Sequence, residues 1–261
     1  MGGKVCAYPL AAQSRRAVEF GYRWCRVRSN LPARMTTLAE TRAIRVWDLP
    51  TRLFHWLLAA AVVGLVVSGK IGGNAMVWHM RFGLGVFTLL GFRLLWGVVG
   101  GRWSRFASFL YAPRTVLRYL RGQHRPGEHV EVGHNPLGAL SVFALIAVLV
   151  VQVATGLVAD DEIATTGPLN QFVSNALGLK ATAWHTAYGQ WLLLALVALH
   201  VAAIGVYHLR GQNLVQPMLS GDKPLPPDVP ASTDSAVTRG IALALVLAVG
   251  AVAVWIARQA A

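Results

Sequence analysis

Hydrophobic residues fall into five long blocks along this chain, at roughly 53–69, 76–99, 136–158, 182–207 and 240–257. Each is close to the about 20 residues that carry a helix across a bilayer. None reads as a cleavable signal: the first block comes late, and Arg15-Arg16 is followed by no apolar stretch. Residues 1–43 are polar and Arg-rich without helical periodicity; they read as a disordered basic arm, with Met35 as an alternative start. Residues 44–222 hold four spans, 223–239 read as a cytoplasmic linker, and 240–257 form a fifth span. The stretch WSRFASFLYAPRTVLRYLR (103–121) interleaves aromatics with arginines, as a short amphipathic helix in the interface does. The expected architecture is an all-α membrane protein: a four-helix transmembrane bundle plus one additional C-terminal transmembrane helix.

Composition agrees with that picture, since 55% of the 261 residues are hydrophobic and only 13% are charged. The formal charge of +13 changes it only through where the charges lie. Nine Lys/Arg precede the first span through Arg45, and Arg102, Arg105, Arg114, Arg118, Arg121 and Arg125 follow the second. Arg210, Lys223 and Arg239 follow the fourth, whereas the opposite side has Lys70, Lys180 and Arg258. The positive-inside rule then places the N-terminus in the cytoplasm and the C-terminus outside. The charge serves orientation and lipid headgroups, with no folded basic surface for nucleic acid. The one acidic cluster, Asp160, Asp161 and Glu162, falls in an outer loop, either as a simple hydrated turn or as a surface complementary to a basic soluble partner. Cys6 and Cys25 match no metal spacing, and no C-x-x-C-H for covalent haem occurs.

The histidines carry the chemistry. His124 and His129 sit in a polar loop and read as solvated. Others lie in or at the ends of spans, where ionisable groups are costly and usually functional. WHMRFG (78–83) and WHTAYG (184–189) share the pattern W-H-x-x-aromatic-G, and each opens a span at the outer face. His79 and His185 thus share one depth, and Gly83 and Gly189, four residues on, would clear space for a flat ligand on the same helical face. Two such histidines suit the two axial positions of one haem iron. Interfacial histidines beside anchoring tryptophans are the rival account, which leaves the matching depth and glycines unexplained. Fifteen residues beyond His185, about 22 Å along a helix, His200 reaches the cytoplasmic side, where His55 opens the first span. His55 and His200 form the second candidate pair, with His208 and His134 as alternatives. Arg52, Arg81, Arg93 and His134 are candidate contacts for haem propionates. Four histidines at two depths do not make one tetrahedral zinc site, and no nucleophile elbow, P-loop or Rossmann glycine pattern occurs.

VWDLPTRLFHW (46–56), WHMRFG, GHNPLGAL (133–140), TGLVADDEIATTGPL (155–169) and the His185/His200 pair together resemble the bacterial cytochrome b561 and nickel–iron hydrogenase b-type cytochrome family, over about residues 44–222. The resemblance implies a di-haem inner-membrane protein of the respiratory chain. It would hold two b-type haems on His55, His79, His185 and His200. Electrons would pass between the quinone pool and a c-type cytochrome or a dehydrogenase or hydrogenase subunit, with bound quinone a further expectation. Two rivals stay open. One is a stand-alone oxidoreductase acting on superoxide or quinone at the outer haem, favoured by a basic pocket near Lys180 and Arg81. The other is a non-redox scaffold or transporter, whose mark would be colourless protein.

Overall fold

The computed structural model describes residues 41–123 and 130–259. The basic arm up to residue 40, and His124 and His129, lie outside the described residues. Among the described residues five helices have the length and apolarity to cross a membrane. The first, α1 (Leu49–Ile71), is capped by Asp48, whose carboxylate accepts the Thr51 N–H at 2.8 Å. Pro50 sits in the first turn, where a missing N–H costs nothing. The helix ends at Gly72, whose φ of 68° lies in the left-handed region that glycine enters freely. A short 3-10 turn leads into α2 (Met76–Val99). The amphipathic segment forms a short helix, α3 (Pro113–Leu120), and α4 (Pro136–Val158) begins behind an Asn135 cap.

The fourth span is longer than its apolar block. It runs 35 residues, Asn175–Leu209, as α5 (Asn175–Ala183), a single π-turn (Trp184–Gly189) and α6 (Gln190–Leu209). Ser174 caps it by accepting the Leu177 N–H, and α5 is too weakly apolar to be seen as part of a span. A short helix α7 (Val215–Ser220) follows. The last span, α8 (Ala236–Ala257), starts four residues before its apolar block because Ser235 and Thr238 form a reciprocal capping box.

Packing follows the apolar faces. Val86 and Leu90 of α2, Leu149 of α4 and Leu193 of α6 form a central cluster. Phe54 of α1, Phe92 and Trp96 of α2 and Ala242 of α8 form a second. The fifth helix therefore closes on the bundle along α2. Gly91 permits this approach, since a Cβ there would lie 2.6 Å from Val249 Cγ1. Elsewhere the spans turn apolar residues outward; Val63, Leu199 and Leu247 are 63%, 66% and 63% exposed. In water each would forgo about 1.5–3 kcal/mol of burial, so these faces suit an apolar surrounding such as a bilayer.

Two expected boundaries need correction. Strand β1 (Arg42–Arg45) pairs antiparallel with β2 (Asp222–Leu225), Arg42 opposite Leu225 and Arg45 opposite Asp222. Order thus reaches back into the expected arm. The stretch 223–239 is not a free linker but part of a small cap. Arg45 bonds Asp222 at 2.7 Å and Asp234 at 3.0 Å, the Ser232 N–H donates to Arg45 O at 2.7 Å, and Trp103 Nε1 donates to Pro230 O at 2.8 Å. Ile44, Val46, Trp47, Trp103, Val132 and Val229 bury together beneath it. Short strands and isolated apolar residues leave no periodic signal, so this cap was hidden in the sequence.

Candidate functional site

The first turn of α2 presents His79 and the π-turn presents His185, and their ring centres stand 6.1 Å apart with planes at 81°. Each imidazole is held from the neighbouring span in the same way. His79 Nδ1 donates to Leu65 O at 3.0 Å, and His185 Nδ1 donates to Gln152 O at 2.9 Å. A carbonyl only accepts, so Nδ1 carries the proton and Nε2 keeps its lone pair. Three residues after each carbonyl comes a hydroxyl, Ser68 at 3.4 Å from His79 Nδ1 and Thr155 at 3.3 Å from His185 Nδ1. One residue further is a glycine pressed to the ring. A Cβ on Gly69 would lie 3.1 Å from His79 Nδ1, and one on Gly156 would lie 3.0 Å from His185 Cε1. The His79–His185 pair is therefore built twice from one pattern, LVVSG and QVATG facing W-H-x-x-aromatic-G. The hydroxyl-glycine half of that repeat was the signal missed in the sequence.

A cavity of about 250 Å³ adjoins this pair, lined by both histidines, by Gly69, Gly83 and Gly156, and by apolar residues including Leu149 and Leu193. A Cβ on Gly83 would meet nothing within 4 Å, so this glycine leaves open space. Gly189 does not. It is buried and absent from the cavity wall, and a Cβ there would collide with the Gln152 amide. The π-turn is the reason: its i+5 bonding moves Gly189 off the face that α-helical spacing assigns it. Arg81 also departs from expectation. It is exposed, with its guanidinium 4.8 Å over Trp78, and it lines no part of the cavity. Lys70 does line it, with Nζ 4.9 Å over the Trp191 ring.

At the other end of the fourth span His200 faces His55 of α1, with ring centres 6.5 Å apart and planes at 51°. His55 Nδ1 is buried with no hydrogen-bond partner among the described residues. His208 is exposed in the last turn of α6. His134 sits between Trp47, which it meets edge-on at 4.7 Å, and Phe109, tilted against it at 4.4 Å. Burial, with the charges of Arg93, His55 and His200, drives its imidazole down to about 3, so it stays neutral. Its Nδ1 is buried and unpartnered. Arg93 is 2% exposed, lies 4.6 Å over the Phe106 ring, and leaves Nη1 unpartnered. Arg52 donates through Nη1 to Leu219 O at 2.5 Å and keeps a buried Nε without a partner. Three of the four candidate propionate contacts thus have unused N–H or ring nitrogen, and the fourth is Arg81.

Beside this end lies a network that the sequence reading passed over. The fully buried Asp48 carboxylate accepts from Thr51 N at 2.8 Å, Ser104 Oγ at 2.6 Å and Trp96 Nε1 at 3.2 Å. Thr51 Oγ1 donates to Ser104 Oγ at 2.8 Å. Aspartate before L-P-T is a helix-cap signature, the one sequence signal that points to this network. In the loop after α4 Asp161 Oδ1 accepts the N–H groups of Ile163, Ala164 and Thr165 at 3.0, 2.9 and 2.8 Å. These bonds hold its carboxyl down to about 2, so Asp161 staples the loop as well as contributing charge.

The two histidine pairs fit bis-imidazole coordination. A metal–nitrogen bond of about 2 Å puts a bound imidazole's centre about 3 Å from the metal, so two opposed rings stand about 6 Å apart. Among the described residues no cluster of three or more His, Cys, Asp or Glu would hold a bare ion. Two nitrogens per site would leave the other positions to a macrocycle, and the glycines and cavity leave open space beside the His79–His185 pair.

Residues 46–221 match the prokaryotic cytochrome b561 family. A probable Ni/Fe-hydrogenase B-type cytochrome subunit of Cupriavidus necator is 28% identical over 215 residues, covering 69% of this chain and 86% of its own. The Bradyrhizobium diazoefficiens protein of that name is 26% identical over 220 residues, covering 69% and 85%. The Escherichia coli K12 hydrogenase 1 counterpart is 25% identical over 190 residues, covering 60% and 80%. No solved structure matches. The chain belongs to the prokaryotic cytochrome b561 family and is a multi-pass bacterial membrane cytochrome of the b type, which carries haem b and takes part in electron transfer.

Proposed function

We propose that the chain holds two haem b groups, one between His79 and His185 and one between His55 and His200, and carries electrons across the bilayer between the quinone pool and a redox partner. One observation carries this reading: a single continuous span offers an imidazole at each end, and each meets a second imidazole about 6 Å away. Haem iron supplies one-electron exchange, tuned by its ligands and surroundings. The chain supplies the rest. The Leu65 and Gln152 carbonyls fix the tautomer that leaves Nε2 free to ligate. Arg52, Arg93 and His134 offer nitrogen donors to anionic propionates at the inner pair, and Lys70 does so at the outer one.

The distribution of Lys and Arg supports a cytoplasmic N-terminus and a periplasmic C-terminus. The names of the relatives support a nickel–iron hydrogenase as the partner. A dehydrogenase subunit or a c-type cytochrome answers to the same chemistry, the latter through the acidic loop around Asp160 and Glu162. The test is a reduced-minus-oxidised spectrum with haem quantification. Two non-covalent haems per chain are expected, and His185→Ala loses one. Wild-type protein without haem, or His185→Ala with both haems, refutes the assignment.

Lys70 in the outer cavity favours a second reading, one-electron exchange with a small anion such as superoxide at that site. Purified protein that reduces quinone with superoxide alone supports it; a strict need for a protein partner removes it.

A further inference from the structure

We propose that Gln152 is a positioning residue, which holds the Trp184–Gly189 π-turn and so sets the orientation of His185 toward the outer haem. The inference rests on the di-haem reading above. Gln152 lies within α4, only 8% exposed, and lines the cavity beside the histidine. It grips His185 twice. Its main-chain oxygen accepts the His185 Nδ1–H at 2.9 Å, and its side-chain Nε2 donates to the main-chain oxygen of His185 at 3.1 Å. Gly189 has no Cβ, which lets the Gln152 amide lie against the turn.

The repeated build of the site isolates what the amide does. Leu65 and Gln152 occupy equivalent places, each offering its main-chain carbonyl to one imidazole, with a hydroxyl three residues on and a glycine four on. At Leu65 the side chain is apolar, and His79 stands in ordinary α-helix. At Gln152 the side chain is an amide, and His185 stands in a π-turn. The amide and the altered turn occur together. A π-turn breaks the regular i+4 ladder, and a main-chain carbonyl in a membrane must find a donor within the protein. Gln152 supplies that donor to His185. Without it, relaxation toward α-helix rotates the ring by up to about 100°, one residue's turn.

The test compares full-length wild type, Gln152→Met and Gln152→Glu in detergent. Each is scored by haem per chain, by the ferric low-spin paramagnetic resonance signals and by the two midpoint potentials. Methionine keeps length and apolar packing but has no donor. Glutamate, protonated in apolar surroundings, keeps one O–H donor at the same reach. Gln152→Met is expected to keep the inner haem's signal while the outer haem's signal shifts or its haem is lost, taking two per chain to one. Gln152→Glu is expected to keep the wild-type outer signal. Unchanged signals in Gln152→Met overturn the inference, as do identical behaviour of the two variants and loss of both haems from Gln152→Met, since a positioning effect is confined to the outer pair. Wild-type protein without haem overturns the di-haem reading and this inference together; haem-replete wild type beside an indifferent Gln152→Met overturns the inference alone.

Discussion

Asp48 gives the sharpest quantitative expectation. Its carboxylate is buried where α1 begins, and it satisfies three donors: Thr51 N–H, Ser104 O–H and Trp96 Nε1–H. Asp48→Ala removes all three bonds. The Ser104 hydroxyl can rotate to another acceptor, but the Thr51 amide and the Trp96 indole point where they are and stay unpaired. A buried donor left unmet costs about 1–3 kcal/mol, so the two together cost about 4 kcal/mol. Asp48→Asn behaves differently. The amide oxygen can still accept from Thr51 and Trp96, and its NH₂ faces Ser104 Oγ, which is able to accept; the expected cost is about 1 kcal/mol. At about 2–4 °C per kcal/mol, the alanine variant unfolds about 8–16 °C lower and the asparagine variant about 2–4 °C lower. A thermal scan of tryptophan emission in detergent measures this directly. An alanine variant within 1 °C of wild type, or one no worse than asparagine, would show that the network does not anchor this end of the bundle.

Other expectations follow from single residues. Gly83→Leu places a branched side chain into open space beside His79 and is expected to exclude the outer haem, leaving one per chain by extraction assay; a full complement would show that the cavity is not where the macrocycle lies. Asp161 is held below the usual carboxylate range by three N–H groups, so its hold on the loop is complete above about pH 4, the ordinary aspartate value, and is lost as pH falls through about 2. Hydrogen exchange at residues 163–165 reads this, with protection at pH 5, its loss near pH 2, and early loss at pH 5 in Asp161→Ala, which has no acceptor. Protection that ignores both pH and the substitution refutes the staple.

The spans were legible because a membrane imposes a long, unambiguous apolar signature; two of the five, Met76–Val99 and Pro136–Val158, begin and end at the expected residues. The helix ends that moved did so through polar caps, Ser174 and Ser235, which lie outside any apolar block. The four span histidines were legible for the same reason: a polar ring in hydrocarbon stands out. What surrounds them was not. The π-turn has no hydrophobic pattern of its own, so the even spacing of Gly189 from His185 misled. Closeness in sequence to His79 favours Arg81, whereas among the described residues Lys70, nine residues earlier and across the turn between spans, is the basic side chain that lines the cavity beside the histidines. The cap was hidden because its two strands, RAIR and DKPL, lie far apart in sequence and pair through backbone and ion pairs.

The unbroken run from Asn175 to Leu209 has a mechanical consequence. His185 and His200 ride on one rod, so the gap between them is a property of helical rise and not of loops or lipid. A thicker or thinner bilayer meets such a rod by tilting it or by stretching the surrounding chains. Two stations fixed to one beam keep their spacing while the membrane around them changes, so the proposed path between them would not depend on the lipid composition the cell happens to have.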